Sequence, residues 1–271
     1  MTEPGVLKGL LAKHNLSANK GLGQHFLCSG PIVSKIVEGL AGSASVLEVG
    51  PGPGILTGPL SDAFAEVVAL EIDERMPSVL AESAPKAKVV LGDVLEVDLR
   101  SVLEPLSAPR GFVSNIPYYI TGPILTRVAE CADLIEGAVL MMQREVAQRI
   151  LAPAGNSDRG SLSVFLQSHF TISKVCDAPP GAFMPPPKVQ SQVLKLVPRA
   201  LPVEPEEKDR YFRLIRGSFG QPRKTLANNL RAGMSLSKEA VDEALKKAGF
   251  DERIRPFQLT EDEWVRLLRS I

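Results

Sequence analysis

The chain is poor in cysteine, histidine and aromatic residues. Its 271 residues include three cysteines, three histidines and one tryptophan, and aromatic residues make up 5% of the total. The cysteines are far apart and show neither a metal-binding spacing nor a disulfide framework, so we expect a reduced, cytoplasmic protein without a metal site. The sequence has no apolar run of about 18 residues and its N-terminus lacks the layout of a secretory signal, so no membrane association is expected.

The chain also has no net charge, since 31 basic residues balance 31 acidic ones. This balance argues against a general polyanion-binding tail. Residues 208–231 nevertheless contain seven basic residues and a single acidic one. Such a run on a neutral protein is typical of a localised phosphate-facing surface, although a single run is more often only a solvated helix face. The basic residues are Lys208, Arg210, Arg213, Arg216, Arg223, Lys224 and Arg231.

Short apolar segments alternate with amphipathic, helix-length segments between residues 45 and 197. Strands are predicted at residues 45–49, 66–70, 88–91, 111–114, 137–142, 170–175 and 192–197, and helices at residues 55–64, 74–81, 123–131, 144–151 and 162–168. This alternation predicts an α/β fold with a mostly parallel sheet covered on both faces. A Pro- and Gly-containing loop joins the last two strands, so an antiparallel pair is expected at one end of the sheet.

The remainder of the chain has no strand pattern. Prolines between residues 198 and 205 mark a linker, and helices are predicted at residues 206–218, 223–231, 238–248 and 261–270. Gly249 is placed as a C-cap and Thr260 as an N-cap. We therefore predict two domains, an α/β domain over residues 1–199 and a small all-helical domain over residues 200–271.

The first predicted strand runs into a glycine-rich turn, Gly-Pro-Gly-Pro-Gly, at residues 50–54. Ile55 stands where a dinucleotide-binding fingerprint needs its third glycine, and the prolines remove N–H groups that a pyrophosphate would need. The turn therefore better suits a nucleoside without phosphates, such as S-adenosylmethionine. Glu71 after the second strand can accept hydrogen bonds from ribose hydroxyls, and Asp93 after the third can accept one from an adenine amine.

The fourth predicted strand ends in Asn115, Ile116, Pro117 and Tyr118. This segment suits methyl transfer to a planar nitrogen, such as an adenine amine or a glutamine amide, whose delocalised lone pair is a poor nucleophile. The Asn115 side-chain oxygen and the Ile116 carbonyl would accept its N–H protons. Pro117 would stiffen the turn, and Tyr118 would stack on the base. Alone, the four residues fit a plain strand-to-loop turn equally well, but the ordered sites before them favour methyl transfer.

Six segments of the chain carry a family pattern. They are residues 20–27 (KGLGQHFL), 47–57 (LEVGPGPGILT), 115–121 (NIPYYIT), 142–147 (MQREVA), 183–189 (FMPPPKV) and 223–226 (RKTL). In these segments the chain closely resembles the KsgA/RsmA family of small-subunit ribosomal RNA adenine dimethyltransferases. The resemblance implies a Rossmann-like class I methyltransferase fold with a seven-stranded, mostly parallel sheet and a helical C-terminal domain. It also implies transfer of four methyl groups to N6 of two adjacent adenosines near the 3′ end of 16S rRNA.

The resemblance also implies roles for individual residues. Contacts to S-adenosylmethionine, which leaves as S-adenosylhomocysteine, would come from Gln24, His25, Leu27, Gly50, Gly52, Glu71, Asp93 and Asn115. Phe183 would stack on the second face of the target base, opposite Tyr118, and its position in a Pro-rich loop argues against a core residue. In the basic run of the helical domain, RNA contacts are expected from Arg216, Arg223, Lys224 and Arg231.

Three positions depart from the family pattern. His25 stands where the family usually has Asn, Gln190 where it has Asp, and Pro222 where it has Arg. The first departure makes a contact of residue 25 with the cofactor carboxylate less secure, and the third thins the basic cluster. None of the three lies within residues 115–118.

Two alternatives stay open. An enzyme with the same core could methylate 23S rRNA or DNA adenine, and a protein of this fold could be a mainly non-catalytic ribosome-assembly or transcription factor. The intact glycine turn and residues 115–118 argue against the second alternative. We expect a cytoplasmic monomer that acts on 16S rRNA in the small ribosomal subunit or its precursor, by direct methyl transfer without a general base.

Overall fold

The computed structural model describes residues 2–271 and groups them into two compact units. The first unit comprises the chain up to Ala147 together with Thr171–Pro198, and the second comprises Gln148–Phe170 and Arg199–Ile271. This grouping differs from the predicted division at residue 199, because residues 148–170 lie with the C-terminal helices.

The order of elements follows the sequence pattern closely. The strands are β1 (Phe26–Leu27), β2 (Ser45–Val49), β3 (Glu66–Glu71), β4 (Lys88–Leu91), β5 (Arg110–Asn115), β6 (Gly137–Gln143), β7 (Phe170–Ala178), β8 (Phe183–Met184) and β9 (Ser191–Pro198). The α-helices are α1 (Pro4–Lys13), α2 (Gly30–Gly39), α3 (Thr57–Ala63), α4 (Met76–Ser83), α5 (Leu99–Leu103), α6 (Thr121–Glu130), α7 (Arg144–Leu151), α8 (Ser161–His169), α9 (Lys208–Ser218), α10 (Leu226–Met234), α11 (Lys238–Ala248) and α12 (Glu261–Leu268). Every predicted strand and helix is present, whereas α1, α2, α5, β1 and β8 were not predicted.

Seven strands form one sheet in the order β4-β3-β2-β5-β6-β9-β7. The pairs β3–β4, β2–β3, β2–β5 and β5–β6 are parallel, and β9 is antiparallel to β6. The predicted mostly parallel sheet with an antiparallel addition at one end is thereby confirmed. Val49 pairs with both Leu70 and Ser114, so the residues that follow β2, β3 and β5 emerge at the same edge.

Helix α8 packs with the C-terminal helices inside the second unit. Val164 shares an apolar core with Tyr211, whose hydroxyl lies 3.2 Å from the Ser168 hydroxyl. The buried Arg159 guanidinium donates to the Leu259 carbonyl at 2.6 Å. The amphipathic pattern of α8 predicted its buried face but could not identify the core that this face joins, because periodicity carries no information about the partner.

The second unit is closed by caps and by one tight helix contact. Thr260 accepts a hydrogen bond from the Glu263 amide at 3.3 Å, and Gly249 adopts a φ of 73° at the end of α11, which confirms both predicted caps. A Cβ on Gly233 would lie 2.8 Å from the Gly217 Cα, so glycines at both positions let α9 and α10 approach at backbone contact.

Candidate functional site

A cavity opens at the carboxyl ends of β2, β3, β4 and β5, where open α/β sheets bind ligands. It lies within the first unit. With the exception of Phe183, every predicted catalytic and cofactor residue lines it. These are Gln24, His25, Leu27, Gly50, Gly52, Glu71, Asp93, Asn115, Ile116, Pro117 and Tyr118.

The glycine turn after β2 exposes backbone to this cavity. Gly50 and Gly52 adopt φ angles of 71° and 53°, a region that residues with a Cβ avoid. A Cβ on Gly50 would enter open space, whereas one on Gly52 would lie 3.1 Å from the Phe26 ring. The backbone of the turn can therefore contact a flat ligand directly at Gly50.

Glu71 fastens this turn to the end of β3. Its Oε2 accepts from the Gly52 amide at 2.9 Å and its Oε1 from the Asp73 amide at 2.8 Å. Burial raises the pKa of the Glu71 carboxyl, and the two amides act in the opposite direction. Since each carboxylate oxygen can accept more than one hydrogen bond, Glu71 is held rigidly and keeps capacity for ligand hydroxyls.

Asp93 lies after β4 on the same edge. Its Oδ1 accepts from the Leu95 amide at 2.8 Å, and this bond fixes the carboxylate in the loop that begins there. The half-buried side chain therefore keeps its second oxygen for a donor in the cavity.

Glu48 is a cavity residue that the sequence reasoning missed. It is 1% exposed, and within residues 2–271 its Oε2 has no hydrogen-bond partner. Burial raises the pKa of its carboxyl to about 8, with a smaller contribution from the Glu71 carboxylate. The available signal was one acidic residue inside an otherwise apolar strand. The floor of the cavity thus holds a carboxyl that stays protonated at neutral pH.

A segment before α2, residues 19–27, borders the cavity and is named the strap. The Gln24 amide donates to Asp73 Oδ2 at 2.9 Å, and its oxygen accepts from the Asn19 amide at 2.7 Å. Arg75 donates to both oxygens of Asp73, at 2.7 and 2.6 Å, and this pairing lowers the pKa of Asp73. Gln24 therefore anchors the strap to the residues after β3, a task that its sequence context did not indicate.

The two predicted acceptors after β5 remain available. The Asn115 amide nitrogen donates to the His25 carbonyl at 3.0 Å, which directs Asn115 Oδ1 away from that bond. The Ile116 amide donates to the Met141 carbonyl at 3.0 Å and extends the sheet pairing by one residue. Across the described part of the chain, no donor is bonded to Asn115 Oδ1 or to the Ile116 carbonyl.

Tyr118 is half-buried and fixed at its hydroxyl. The hydroxyl lies 2.7 Å from Ser191 Oγ, and burial raises the pKa of the phenol while this hydrogen bond opposes the rise. The His25 ring stacks near Tyr118, with centroids 5.9 Å apart and planes inclined by 22°. His25 Nδ1 donates to the Pro185 carbonyl at 2.8 Å, so its partner here is a backbone group.

Phe183 requires a correction. It is 5% exposed, belongs to the apolar core of the first unit and pairs with Leu27 in the two-stranded sheet of β1 and β8. It does not line the cavity, and the ring that stacks near Tyr118 is that of His25. The expectation that a Pro-rich loop is a poor place for a core residue was wrong, because the short β1–β8 pairing carries the loop back onto the core.

The predicted RNA-binding residues all lie in the second unit. Arg216, Arg223 and Lys224 are exposed, and no ion pair within residues 2–271 involves them. Arg231 is only partly exposed, and its Nη2 lies 3.2 Å from Asp242 Oδ1. This ion pair reduces the charge that Arg231 presents, an effect that residue spacing could not reveal.

Two of the departures from the family pattern have simple local settings. Gln190 Oε1 accepts from the Arg144 guanidinium at 2.5 Å, and the Arg144 amide donates to the Gln190 carbonyl at 2.9 Å. Pro222 is exposed in the turn between α9 and α10. In the described range, His, Cys, Asp and Glu side chains do not gather in threes as metal ligands, and its helices are too short or too polar to cross a membrane.

Comparison with known proteins gives matches along almost the whole chain. The family described as "Ribosomal RNA adenine dimethylase" matches residues 15–270. A protein named "Ribosomal RNA small subunit methyltransferase A" from Geobacillus thermodenitrificans is 38% identical over 99% of this chain and 96% of its own. A protein of the same name from Geobacter metallireducens is 39% identical over 94% of this chain and 96% of its own.

Solved structures extend the similarity to the fold. A dimethyladenosine transferase from Plasmodium falciparum matches with a TM-score of 0.73 and 27% identity, covering 90% of this chain and 96% of that one. The 23S rRNA methyltransferase ErmE matches with a TM-score of 0.67 and 28% identity, covering 90% of this chain and 98% of that one. The predicted Rossmann-like class I methyltransferase fold is thereby confirmed.

Proposed function

The chain belongs to the ribosomal RNA adenine dimethylase family, and we propose that it transfers four methyl groups from S-adenosylmethionine to N6 of two adjacent adenosines near the 3′ end of 16S rRNA. The substrate is this RNA in the small ribosomal subunit or its precursor, and the protein acts as a cytoplasmic monomer without a metal. The observation that carries the proposal is the pair of acceptors after β5, Asn115 Oδ1 and the Ile116 carbonyl, which face the cavity without a protein donor.

The cavity fits S-adenosylmethionine in three respects. The open space at Gly50 leaves room against the glycine turn. Glu71, held by two backbone amides, is placed to accept from the ribose hydroxyls, and the second oxygen of Asp93 from the adenine amine. Gln24, His25 and Leu27 of the strap would lie against the methionine part. When bound, the cofactor supplies an electrophilic methyl group.

The residues after β5 activate the adenine by position rather than by basicity. Asn115 Oδ1 and the Ile116 carbonyl accept the two N–H protons of N6, so that the nitrogen lone pair turns toward the cofactor side of the cavity. Tyr118, immobilised through Ser191, stacks on the base. Because the proton leaves a nitrogen that has become cationic, no carboxylate is needed as a base. Positioning and exclusion of water provide most of the acceleration.

The same two acceptors account for a second transfer to one nitrogen. After the first methylation N6 keeps a single N–H, which needs only one acceptor. The other acceptor faces the new methyl group, and neither Asn115 Oδ1 nor the Ile116 carbonyl is buried under another donor that would have to move. The pocket can therefore take back the monomethylated base without rearrangement of the β5 end.

RNA binding is assigned to the exposed cations of the second unit. Arg216, Arg223 and Lys224 have no ion-pair partner in residues 2–271 and can neutralise phosphates, a contribution that depends on salt and not on sequence. Specificity would then come from the folded shape of the ribosomal substrate, because duplex RNA is poorly read by sequence.

The experiment that tests the function is labelled methyl transfer to small-subunit particles that lack the modification, with the modified nucleotides mapped. We expect up to four methyl groups on two neighbouring adenosines, and none on particles in which both adenosines are replaced by guanosine. Methylation confined to naked 23S rRNA would contradict the proposal and favour a target like that named for ErmE.

A further inference from the structure

Tyr119 is a large aromatic residue at the mouth of the cavity for which the proposed mechanism has no role. Its side chain is 60% exposed, in contrast to the half-buried Tyr118 that precedes it. In the described part of the chain its hydroxyl has no hydrogen-bond partner. An aromatic ring gains stability from burial, so a ring left open on the rim of a ligand cavity indicates a surface that a ligand covers.

The position of this ring is fixed from below. The backbone at residues 118–120 forms a 3₁₀ turn in which the Ile120 amide donates to the Pro117 carbonyl at 3.1 Å. Two ring carbons of Tyr119, Cδ1 and Cε1, each lie 3.4 Å from the point where a Cβ on Gly23 would stand. The strap therefore supports the ring at Gly23, and the remainder of the ring faces solvent.

The exposed apolar residues on this rim divide into two groups. Ile72 follows Glu71 and Leu95 follows Asp93 by two residues, which places both beside the carboxylates assigned to the cofactor. Tyr119 follows β5 and lies directly after the residues assigned to the target base. It therefore belongs to the side of the cavity through which the nucleic acid enters, and its ligand should be part of that nucleic acid.

We propose that Tyr119 binds the nucleobase next to the target adenosine by stacking. The inference rests on the proposed function, in which that neighbour is the second target adenosine. Extrusion of one base into the cavity unstacks its neighbour, and an aromatic face can replace the lost stacking whatever the base is. Because Tyr118 and Tyr119 are consecutive, with Cα atoms about 3.8 Å apart, they can contact two consecutive nucleotides.

A double-substitution cycle between protein and RNA tests this pairing. Wild type, Tyr119→Ala and Tyr119→Phe are compared in kcat/KM for methyl transfer to reconstituted particles that carry either the normal neighbour or an abasic nucleotide in its place. On the normal particle, Tyr119→Ala should lose about 5- to 100-fold, and Tyr119→Phe should stay near wild type because it keeps the ring. On the abasic particle, Tyr119→Ala should equal wild type. Cofactor affinity should be unchanged throughout.

The controls separate this inference from the proposed function. Val197→Ala removes another exposed apolar side chain, on β9 at the opposite edge of the sheet, and should leave kcat/KM unchanged. An equal loss for Tyr119→Ala on both particles, or no loss on either, would overturn the inference while wild-type turnover upholds the function. Absence of transfer by the wild type would overturn the proposed function, and the inference with it.

Discussion

The cavity has two walls that are built in different ways. One wall consists of residues that directly follow the parallel strands β2 to β5, and sheet pairing places them at one edge. The other wall is the strap, residues 19–27, which is held by side-chain bonds such as Gln24 to Asp73 and Asn115 to the His25 carbonyl. The strand-end wall is rigid by construction, whereas the strap depends on a few contacts between residues distant in the chain. Substitutions in the two walls should therefore fail in different ways.

The largest effect is expected beneath the strap, at Phe183, where β8 pairs with β1. Phe183→Ala should lower the free energy of unfolding by about 3–5 kcal/mol, because it empties a buried position in the core. Denaturant titration measures this loss, and Phe183→Leu should recover most of it. If Phe183→Ala instead kept its stability and lost turnover, the ring would stack on the base after all, and the strap would be less firmly packed than the structure shows.

On the strand-end wall, Asn115→Ala should act on the reaction. Removal of one preorganised hydrogen-bonding group at a reacting centre costs about 10²- to 10³-fold in kcat, while cofactor affinity should change little because Glu71 and Asp93 are untouched. Turnover assays and calorimetric titration of the cofactor measure the two quantities. Asn228→Ala, an exposed position on α10, serves as the matched control. Near-normal turnover of Asn115→Ala would disprove the acceptor role.

Glu48 connects the strand-end wall to pH. Its folded-state pKa, about 8, is higher than that of an unfolded-state Glu, so the folded protein retains a proton that the unfolded chain releases. Wild-type stability should therefore fall as pH rises from about 5 to about 8, by roughly 1–3 kcal/mol from this group. Glu48→Gln has no such proton, and its unfolding free energy should fall less over the same range. Parallel pH profiles for the two proteins would show that Glu48 is ionised in the folded state.

The smallest effect is expected at the anchor of the strap. Gln24→Ala removes the hydrogen bond to Asp73 and should weaken cofactor binding by about 1 kcal/mol, the net worth of one such bond. The loss should appear in the KM for the cofactor and not in kcat, since the acceptors after β5 do not depend on Gln24. A fall in kcat at unchanged KM would mean that the strap takes part in the reaction itself.

The division between the walls also explains which features could be predicted. Residues that follow a parallel strand, such as Glu71, Asp93 and Asn115, were located from sequence because strand direction alone brings them to one edge. The strap, α1, α2 and the β1–β8 pair were missed. Their residues pack through long-range contacts, and their short apolar segments have no clear period. Phe183 was misplaced for the same reason.

Sequence alone determined the sheet, the order of sites along its edge, the family resemblance and the caps of the C-terminal helices, because each of these depends on local pattern or spacing. Tertiary structure alone decided that α8 joins the second unit, that Arg231 pairs with Asp242, that Glu48 keeps its proton and that Tyr119 stands open beside a half-buried Tyr118. These depend on which groups meet in space and on how much water remains around them, and neither quantity is encoded in the spacing of residues along the chain.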